Sequence, residues 1–414
     1  MFIPNDNPPP RIAVVGGGAA GMMAAGTATL YGAEVTIFES MPFLGKKLAI
    51  TGKGRCNLTN DSSVPEFLEN VTKNPRFLYT ALNTLSPADT KTFFESLGVT
   101  LKTERGRRVF PASDKAKDVV DALKEYSRSA NKIYEKVSGI SKDKDIFTVI
   151  TSKDEYKFDR LIIATGGKSY PLTGSDGSGY KLARSFGHTV TKLIPSLIPI
   201  ESASQLCPLM QGLSLRNVKI SVKTPEGRVI YEDFGEMMFT HFGVTGPTIL
   251  SASARIRDYD VSTLTLSIDL KPALDTKALD ARLLSDFSKK SNKDLVNSLS
   301  DLLPSKMISP FIEYTKLNGR KKVNSITKEE RACILEALKS FNIPLKKFRP
   351  IEEAIITSGG VEVKEINPKN MESKLVPGLY FAGEVIDLDA YTGGFNLLIA
   401  FSTGYLAGMK AAEF

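Results

Sequence analysis

The chain has 414 residues, 42% of them hydrophobic, and a formal net charge of +8, so we expect two or three structural units, one of them inserted into another. Three cysteines lie far apart and only two histidines accompany them, which argues against a disulfide framework and against a metal site. No segment has the pattern of a membrane span or a signal peptide. We therefore expect a cytoplasmic protein without a membrane partner.

The first predicted elements form a βαβ unit. After a polar, proline-rich arm over residues 1–10, an apolar strand at 12–15 leads into a glycine-rich turn, a helix at 22–31 and a second strand at 35–38. A G-x-G-x-x-G turn allows close approach to a pyrophosphate, whose charge the helix N-terminus attracts. The predicted dinucleotide-binding residues are Gly16, Gly18, Ala19, Ala20, Gly21 and, at the ribose, Glu39.

Helical patterns dominate from residue 65 to residue 130, and β patterns follow. A hairpin at 146–150 and 156–158 precedes a strand at 160–164. Short alternating strands at 218–222, 228–231 and 263–270 predict an antiparallel unit, and residues 275–340 are helical and highly charged. A last strand at 378–382 indicates that the chain returns to its first domain.

Two later glycine motifs favour FAD over NAD. The first contributes Thr165 and Gly166 after a strand; the second contributes Gly383, Glu384 and Asp387. Gly394 and Asn396 then precede an apolar helix at 397–409, whose N-terminus could stabilise a reduced flavin ring.

Several longer motifs resemble those of the BaiN/RdsA-type (aminoacetone oxidase-like) NAD(P)/FAD-dependent oxidoreductases. The resemblance covers nearly the whole chain and includes GKGRCNLTN at 52–60, VFP at 109–111, GGKSYP at 166–171, TGSDG at 173–177, FTHFGVTGP at 239–247 and TSGGV at 357–361. It implies an α/β fold: a Rossmann-like, glutathione-reductase-like two-motif FAD domain, interrupted by an antiparallel β-barrel-like unit and a helical unit. The predicted segments are 1–193 (FAD domain), 194–272 (barrel), 273–341 (helical), 342–353 (return to the barrel) and 354–414 (FAD domain).

The same resemblance places the segment around residue 56 beside the flavin. It implies that Lys47, Gly54 and Arg55 contact the cofactor, and that Arg55 and Asn57 bind the flavin or orient a substrate carbonyl. Cys56 could donate a proton to the reduced double bond, or it could be a compact residue that packs the loop. His241 could likewise be a proton donor, but we favour a role in holding a turn.

Three functions remain open at this stage. The first is reduction of a ribosomal RNA uridine to dihydrouridine by flavin hydride transfer, which the resemblance implies and the positive charge suits. The basic residues that could contact phosphates are Lys102, Arg105, Arg107, Arg108, Arg320, Lys321, Lys322, Lys346, Lys347 and Arg349. The second is small-molecule chemistry, either steroid-like enone reduction or amine oxidation, and the third is a flavin-containing RNA-binding or ribosome-assembly factor. Since no second G-x-G-x-x-G is present, either NAD(P)H binds transiently in the substrate channel or another compound donates the electrons.

Overall fold

The chain divides into two compact units in a computed structural model that describes residues 8–413; residues 1–7 of the predicted arm and residue 414 lie outside that range. One unit reaches Pro195 and resumes at Ile351, and the other comprises Ser196–Pro350. The predicted boundaries after residues 193 and 353 lie two and three residues from these. The finer division of the second unit into barrel, helical and return segments stays a prediction.

The first unit contains most of the secondary structure. Before the inserted unit its elements are β1 (Arg11–Val15), α1 (Ala19–Leu30), β2 (Glu34–Phe38), α2 (Lys46–Gly54), β3 (Thr59–Asn60), α3 (Val64–Glu69), β4 (Val71–Lys73), α4 (Tyr79–Thr84), α5 (Pro87–Ser96), β5 (Leu101–Glu104), β6 (Arg108–Pro111), α6 (Ala116–Tyr126), β7 (Asn131–Ile133), β8 (Gly139–Asp143), β9 (Ile146–Ile150), β10 (Glu155–Phe158), β11 (Arg160–Ile163), α7 (Ser178–Ser185) and β12 (Ile194–Ser196).

The inserted unit begins next in the chain. Its elements are β13 (Ile200–Ser202), α8 (Leu206–Leu209), β14 (Ser214–Lys223), β15 (Val229–Phe239), β16 (Gly243–Thr245), α9 (Pro247–Arg255), β17 (Thr265–Asp269), α10 (Thr276–Lys289), α11 (Leu295–Ser298), α12 (Ser305–Thr315), α13 (Lys328–Lys339) and β18 (Phe341–Phe348). The first unit then resumes with β19 (Ile356–Ser358), β20 (Leu379–Phe381), β21 (Asp389–Ala390) and α14 (Phe395–Ala412).

A five-stranded parallel sheet in the order β20-β11-β1-β2-β7 is the centre of the first unit. Its strands β1 and β11 are almost entirely buried, as expected for a parallel sheet covered on both faces. Helices α1 and α14 pack closely because Gly404 and Gly408 have no side chains; a Cβ at either would lie 2.4 or 2.2 Å from a carbonyl oxygen of α1. The carboxyl ends of β1, β11 and β20 therefore open onto the starts of α1 and α14.

The second unit is a closed barrel in the order β13-β16-β15-β14-β17-β18. Its strands pair antiparallel, and α10 to α13 lie between β17 and β18 in the sequence. These helices and the barrel share one hydrophobic core, to which Leu283, Phe311 and Ile268 all contribute. The parallel sheet, the antiparallel barrel and the helices agree with the predicted fold class.

Two helices begin earlier than their apolar patterns predicted. Helix α1 starts at Ala19 rather than at residue 22, and α14 starts at Phe395 rather than at residue 397. In each case the helix follows a glycine, Gly18 or Gly394, directly. Glycine and alanine provide little hydrophobic contrast at the start of α1, and sequence patterns locate helix ends to within a few residues only.

His188 links two distant segments of the first unit. Its buried ring contacts Glu365 Oε2 at 3.1 Å and Ser373 Oγ at 2.8 Å, and burial lowers the pKa of His188 below its ordinary value of 6.5. The unfolded chain therefore binds the proton more readily, so the stability that the neutral ring contributes is complete above pH 6.5 and is lost as the pH falls. We expect the melting temperature to decrease less between pH 7 and about pH 5 in His188→Gln than in the wild type. Parallel pH profiles of the two proteins would show that His188 is not the responsible group.

Candidate cofactor and active site

The glycine-rich loop after β1 has little room for side chains except at Gly18. Gly16 has a φ of 106°, and a Cβ there would lie 2.5 Å from the Ala164 carbonyl oxygen; a Cβ at Gly21 would lie 1.8 Å from the carbonyl oxygen of Gly16. At Gly18, the residue before α1, a Cβ would meet no atom within 4 Å. Ala19 and Ala20 form the first turn of α1, so its free N–H groups lie beside this open space.

Glu39 holds the loop from the end of β2. Its Oε2 accepts a hydrogen bond from the Gly17 N–H at 2.8 Å, and its Oε1 accepts one from the Met41 N–H at 2.8 Å. A carboxylate oxygen can accept more than one hydrogen bond. The carboxylate is thus fixed in place and keeps acceptor capacity for a ribose hydroxyl.

The second glycine motif follows β11. Gly166 has a φ of 74°, and the buried Thr165 hydroxyl has no hydrogen-bond partner among the described residues. Gly179, in the first turn of α7, packs directly on this threonine, because a Cβ there would lie 1.8 Å from Thr165 Oγ1. An unpartnered buried hydroxyl at the carboxyl edge of the sheet is a group that a ligand could bind.

The third motif brings Glu384 to a cluster of donors at the same edge. Glu384 Oε2 accepts from Lys47 Nζ at 2.8 Å, and its Oε1 accepts from Ser169 Oγ at 3.1 Å and from the Thr357 N–H at 2.8 Å. Lys47 also donates to Ser169 Oγ at 2.8 Å. We call Lys47, Ser169, Thr357 and Glu384 the carboxylate cluster.

Gly383 and Asp387 flank that glutamate. Gly383 has a φ of 76°, and its N–H donates to Thr403 Oγ1 of α14 at 2.9 Å. The buried Asp387 forms an ion pair with Lys73 Nζ at 2.7 Å. Both residues therefore fix the turn after β20, and Asp387 is already paired with a cation.

The start of α14 lies against β3. Gly394 has a φ of 98°, and a Cβ there would lie 2.3 Å from the Thr59 carbonyl oxygen. Asn396 is bound to the backbone of Ala390, accepting from its N–H at 3.0 Å and donating to its carbonyl at 2.8 Å. Asn396 thus holds the approach to the helix, and its side chain is engaged within the protein.

Helix α2 ends in a left-handed segment that includes Gly54, with a φ of 84°. The next residue, Arg55, stacks over the Phe110 ring at 4.2 Å and binds the carboxylates of Glu104 and Asp114, each at 2.5 Å. These contacts raise the pKa of Arg55. The pKa of Glu104 is lowered mainly by its hydrogen bond with Arg55. The pKa of Asp114 is lowered mainly by its hydrogen bond with Lys102 and then by the one with Arg55. Arg55 is therefore engaged by two carboxylates.

Cys56 and Asn57 differ in how they are placed. Cys56 is fully buried in the core with a φ of 58°, and burial raises the pKa of its thiol to about 12. This placement favours the packing role over the proton-donor role, both of which the sequence left open. Asn57 Oδ1 is buried and has no hydrogen-bond partner among the described residues.

Burial of Cys56 has a chemical consequence. We expect iodoacetamide at pH 8 to leave Cys56 unlabelled in the folded protein, because only a thiolate reacts and a buried thiol with a pKa of about 12 forms almost none. Cys333, which is partly exposed, should be alkylated first. Peptide mass mapping measures both sites, with unfolded protein as the positive control. Rapid labelling of Cys56 in the folded protein would show instead that its thiol is accessible and reactive.

Sequence reasoning missed the partners of the predicted residues. Ser169 and Thr357 both lie in motifs that supported the family resemblance, so the motifs themselves were the available signal. Lys73, the partner of Asp387, has no such signal, because the two are far apart in the sequence. His241 lies exposed in the second unit, stacked edge-on against Phe242.

Most of the predicted phosphate-contacting residues are paired with acids. Lys102 binds Asp114 and Arg107 binds Glu66 in the first unit. In the second unit the pairs are Lys321 with Glu330, Lys322 with Asp294, and Lys347 and Arg349 with Glu201. Four residues of this predicted set are exposed and form no ion pair with a described residue: Arg105, Arg108, Arg320 and Lys346.

The residues of the first unit fit a dinucleotide with a pyrophosphate and a ribose. The open space at Gly18 adjoins the N–H groups of α1, Glu39 stands at the end of β2, and Thr165 offers an unpartnered hydroxyl. In the part of the chain that the structure describes, no three His, Cys, Asp or Glu side chains are grouped as metal ligands. Among residues 8–413, no helix is long and apolar enough to cross a membrane.

This fold and site define a Rossmann-type, FAD-dependent oxidoreductase. The chain belongs to the family described as HI0933-like protein Rossmann domain, whose model matches residues 10–410. The resemblance and the fold class predicted from the sequence are confirmed by this match.

Two curated relatives match nearly end to end. A 3-dehydro-bile acid delta(4,6)-reductase of Clostridium scindens is 31% identical over 410 residues, which cover 97% of this chain and 99% of the relative. A ribosomal RNA dihydrouridine synthase of Escherichia coli is 28% identical over 403 residues, which cover 95% of each chain. Among solved structures, a 3-ketosteroid-delta4-(5alpha)-dehydrogenase from Rhodococcus jostii shares the fold, with a TM-score of 0.53, 14% identity and coverage of 97% of this chain and 96% of that one.

Proposed function

We propose that the protein reduces a carbon–carbon double bond conjugated to a carbonyl group, and that its leading substrate is a ribosomal RNA uridine, which becomes dihydrouridine. The observation that carries this proposal is the nearly end-to-end match to relatives with two different names. Uracil and a 3-oxo bile acid with a neighbouring ring double bond both contain a carbonyl-conjugated C=C. The names of the two relatives therefore describe reduction of the same kind of double bond in two different ring systems.

The glycine-rich loop, Glu39 and the later motifs at the carboxyl edge of the parallel sheet form the proposed FAD site. When bound, FAD supplies a two-electron carrier for the reduction. We expect the N–H groups beside Gly18 to bind the pyrophosphate and Glu39 to bind the ribose. The start of α14 at Gly394 would offer N–H groups and a partial positive charge to the flavin ring. Gly54, Gly166 and Gly383 would allow the backbone to approach the cofactor closely.

Of the three proposed catalytic residues, Asn57 has the placement that best suits contact with the flavin or the substrate. Arg55 is held by two carboxylates and Cys56 is buried in the core, whereas Asn57 has a side-chain atom without a partner among the described residues. Asparagine can donate from its amide nitrogen and accept at its oxygen. We propose that Asn57 Oδ1 accepts a hydrogen bond from an N–H of the flavin or the substrate, that its amide nitrogen orients the substrate carbonyl, and that Arg55 fixes the loop that carries it.

The electron donor is also a proposal. The chain contains a single G-x-G-x-x-G segment, so NAD(P)H would bind transiently rather than in a domain of its own. Anaerobic titration of the FAD-loaded protein with NADH and with NADPH tests this: bleaching of the flavin absorbance supports a nicotinamide donor, and no bleaching with either one excludes it.

Positive charge supports the RNA substrate. The net charge of +8 favours a polyanion, and Arg105, Arg108, Arg320 and Lys346 are exposed without an ion pair to a described residue. Cations that are not already paired are the ones available for phosphates. The higher identity to the bile acid reductase favours the alternative, reduction of a small enone.

The deciding experiment is mass spectrometry of ribosomal RNA from cells with and without the gene. Loss of a dihydrouridine in the deletion strain, restored by the wild-type gene, supports the RNA substrate. An unchanged RNA, together with reduction of 4-androstene-3,17-dione by the purified protein after its flavin has been reduced with dithionite, supports the enone alternative. Restoration of a growth defect by a variant that cannot bind FAD would instead support an RNA-binding or assembly factor.

A further inference from the structure

An exposed apolar loop lies beside the carboxylate cluster. The segment GGKSYP, residues 166–171, leaves the carboxyl end of β11. Its Tyr170 is 37% exposed, and Leu172, directly after the segment, is 84% exposed. Ile355, another exposed apolar residue, contributes the carbonyl oxygen that lies 3.4 Å from Ser169 Oγ. In open parallel sheets, ligands bind at the carboxyl ends of the strands. These side chains are therefore exposed at the edge where a ligand is expected.

Hydrogen bonds on both sides hold Tyr170 in place. The preceding residue, Ser169, is buried in the carboxylate cluster, and the Tyr170 N–H donates to the Glu352 carbonyl at 3.2 Å. The Tyr170 carbonyl accepts from the N–H of Thr173 at 2.9 Å and from its hydroxyl at 2.7 Å. The exposure of the tyrosine therefore belongs to a well-anchored turn.

The backbone at Tyr170 is also unusual. Its φ of 53° and ψ of 58° are left-handed, a conformation that costs free energy for a residue with a large side chain. No hydrogen bond joins its hydroxyl to any of residues 8–413. Tyr170 is thus held in a strained backbone conformation while its aromatic ring stays partly exposed to solvent. This combination is typical of residues that bind ligands.

We propose that Tyr170 is the platform on which the ring of the substrate packs, with Leu172 extending the apolar surface. The occupant is a flat ring with a carbonyl-conjugated double bond, either an unstacked uracil or a steroid-like enone. An aromatic face suits both, because bases stack on tyrosine and apolar rings pack on it. This inference rests on the proposed function and adds to it the residue that recognises the ring.

The test compares ring binding in Tyr170→Phe, Tyr170→Ala and Tyr170→Gly proteins loaded with FAD. Glycine suits a left-handed backbone, so Tyr170→Gly removes the ring without adding strain and keeps the test valid if alanine disturbs the turn. Tyr31→Ala and Leu30→Ser are the matched controls. These two residues are 47% and 72% exposed at the far end of α1, away from the carboxyl edge of the sheet.

The probes are a uridine-containing single-stranded RNA and 4-androstene-3,17-dione. The readouts are Kd from flavin absorbance, FAD content, and reduction of the probe after the bound flavin has been reduced with dithionite. We expect Tyr170→Ala and Tyr170→Gly to weaken binding of the accepted probe by about tenfold or more, with FAD content unchanged. Tyr170→Phe and both controls should stay within about twofold of the wild type.

Three outcomes would overturn the inference. The first is wild-type affinity in Tyr170→Ala and Tyr170→Gly, which leaves the proposed function intact. The second is loss of FAD from both of these variants, because Tyr170 would then support the cofactor site. The third is wild-type protein that binds and reduces neither probe, which removes the proposed function and this inference together.

Discussion

Replacing Gly18 with valine is expected to give a protein that folds normally but binds FAD roughly 10- to 100-fold more weakly, since hydrogen bonds to a charged group contribute about 1.5–3 kcal/mol each. Gly18 has a φ of −81° and a ψ of −165°, which any residue adopts, and a Cβ there would meet no protein atom within 4 Å. The added side chain would instead enter the space beside the N–H groups of α1. The measurements are FAD affinity by fluorescence titration and the melting temperature of the protein without FAD.

Two further glycines separate this effect from general damage. Gly16→Ala should destabilise the protein itself, because the new Cβ would lie 2.5 Å from the Ala164 carbonyl oxygen at a φ of 106°. Gly139→Ala, in β8, should change neither property, because its nearest neighbours lie at an ordinary 3.7 Å. Full FAD affinity in Gly18→Val would show that the pyrophosphate binds elsewhere.

The elements of the first unit could be predicted because their signals are local. The apolar strand, the glycine turn, the helix and Glu39 lie within thirty residues, and each has a direct physical reason to be there. The order of the sheet is less local, since β20 joins β11 only after the inserted unit. Hydrophobic periodicity does not indicate which strands are neighbours in the sheet. The later motifs and the family resemblance were needed to predict that the end of the chain returns to the first domain.

Side-chain pairing could not be predicted in the same way. The family resemblance places Arg55 at the flavin, but its charge is satisfied by Glu104 of β5 and by Asp114, which follows β6. Runs of lysine and arginine looked like phosphate contacts because the acids opposite them belong to distant segments. Glu66, for example, lies in α3 and pairs with Arg107 of the turn between β5 and β6. Charge patterns along the chain thus overestimate the number of lysine and arginine side chains that remain available to bind phosphates.

Glu384→Ala is expected to lower the free energy of unfolding by about 2–4 kcal/mol and to weaken FAD binding. Its carboxylate accepts from Lys47, Ser169 and Thr357. Each donor left without a partner costs about 1–3 kcal/mol when buried, and the partial exposure of Lys47 reduces its share. Glu384→Gln should cost less, because the amide oxygen can still accept from Ser169 and Thr357. Urea denaturation and FAD titration measure the two effects.

The matched control is Glu125→Gln, which removes an exposed ion pair with Arg128 and should change stability by less than about 0.5 kcal/mol. Lys47→Met, alone and combined with Glu384→Gln, gives the coupling energy of this partly exposed pair. The loop before Tyr170 is bound to this glutamate through Ser169. Loss of the carboxylate should therefore weaken substrate binding as well as FAD binding. If Glu384→Ala affects stability no more than Glu125→Gln does, the carboxylate cluster does not hold the carboxyl edge of the sheet in place.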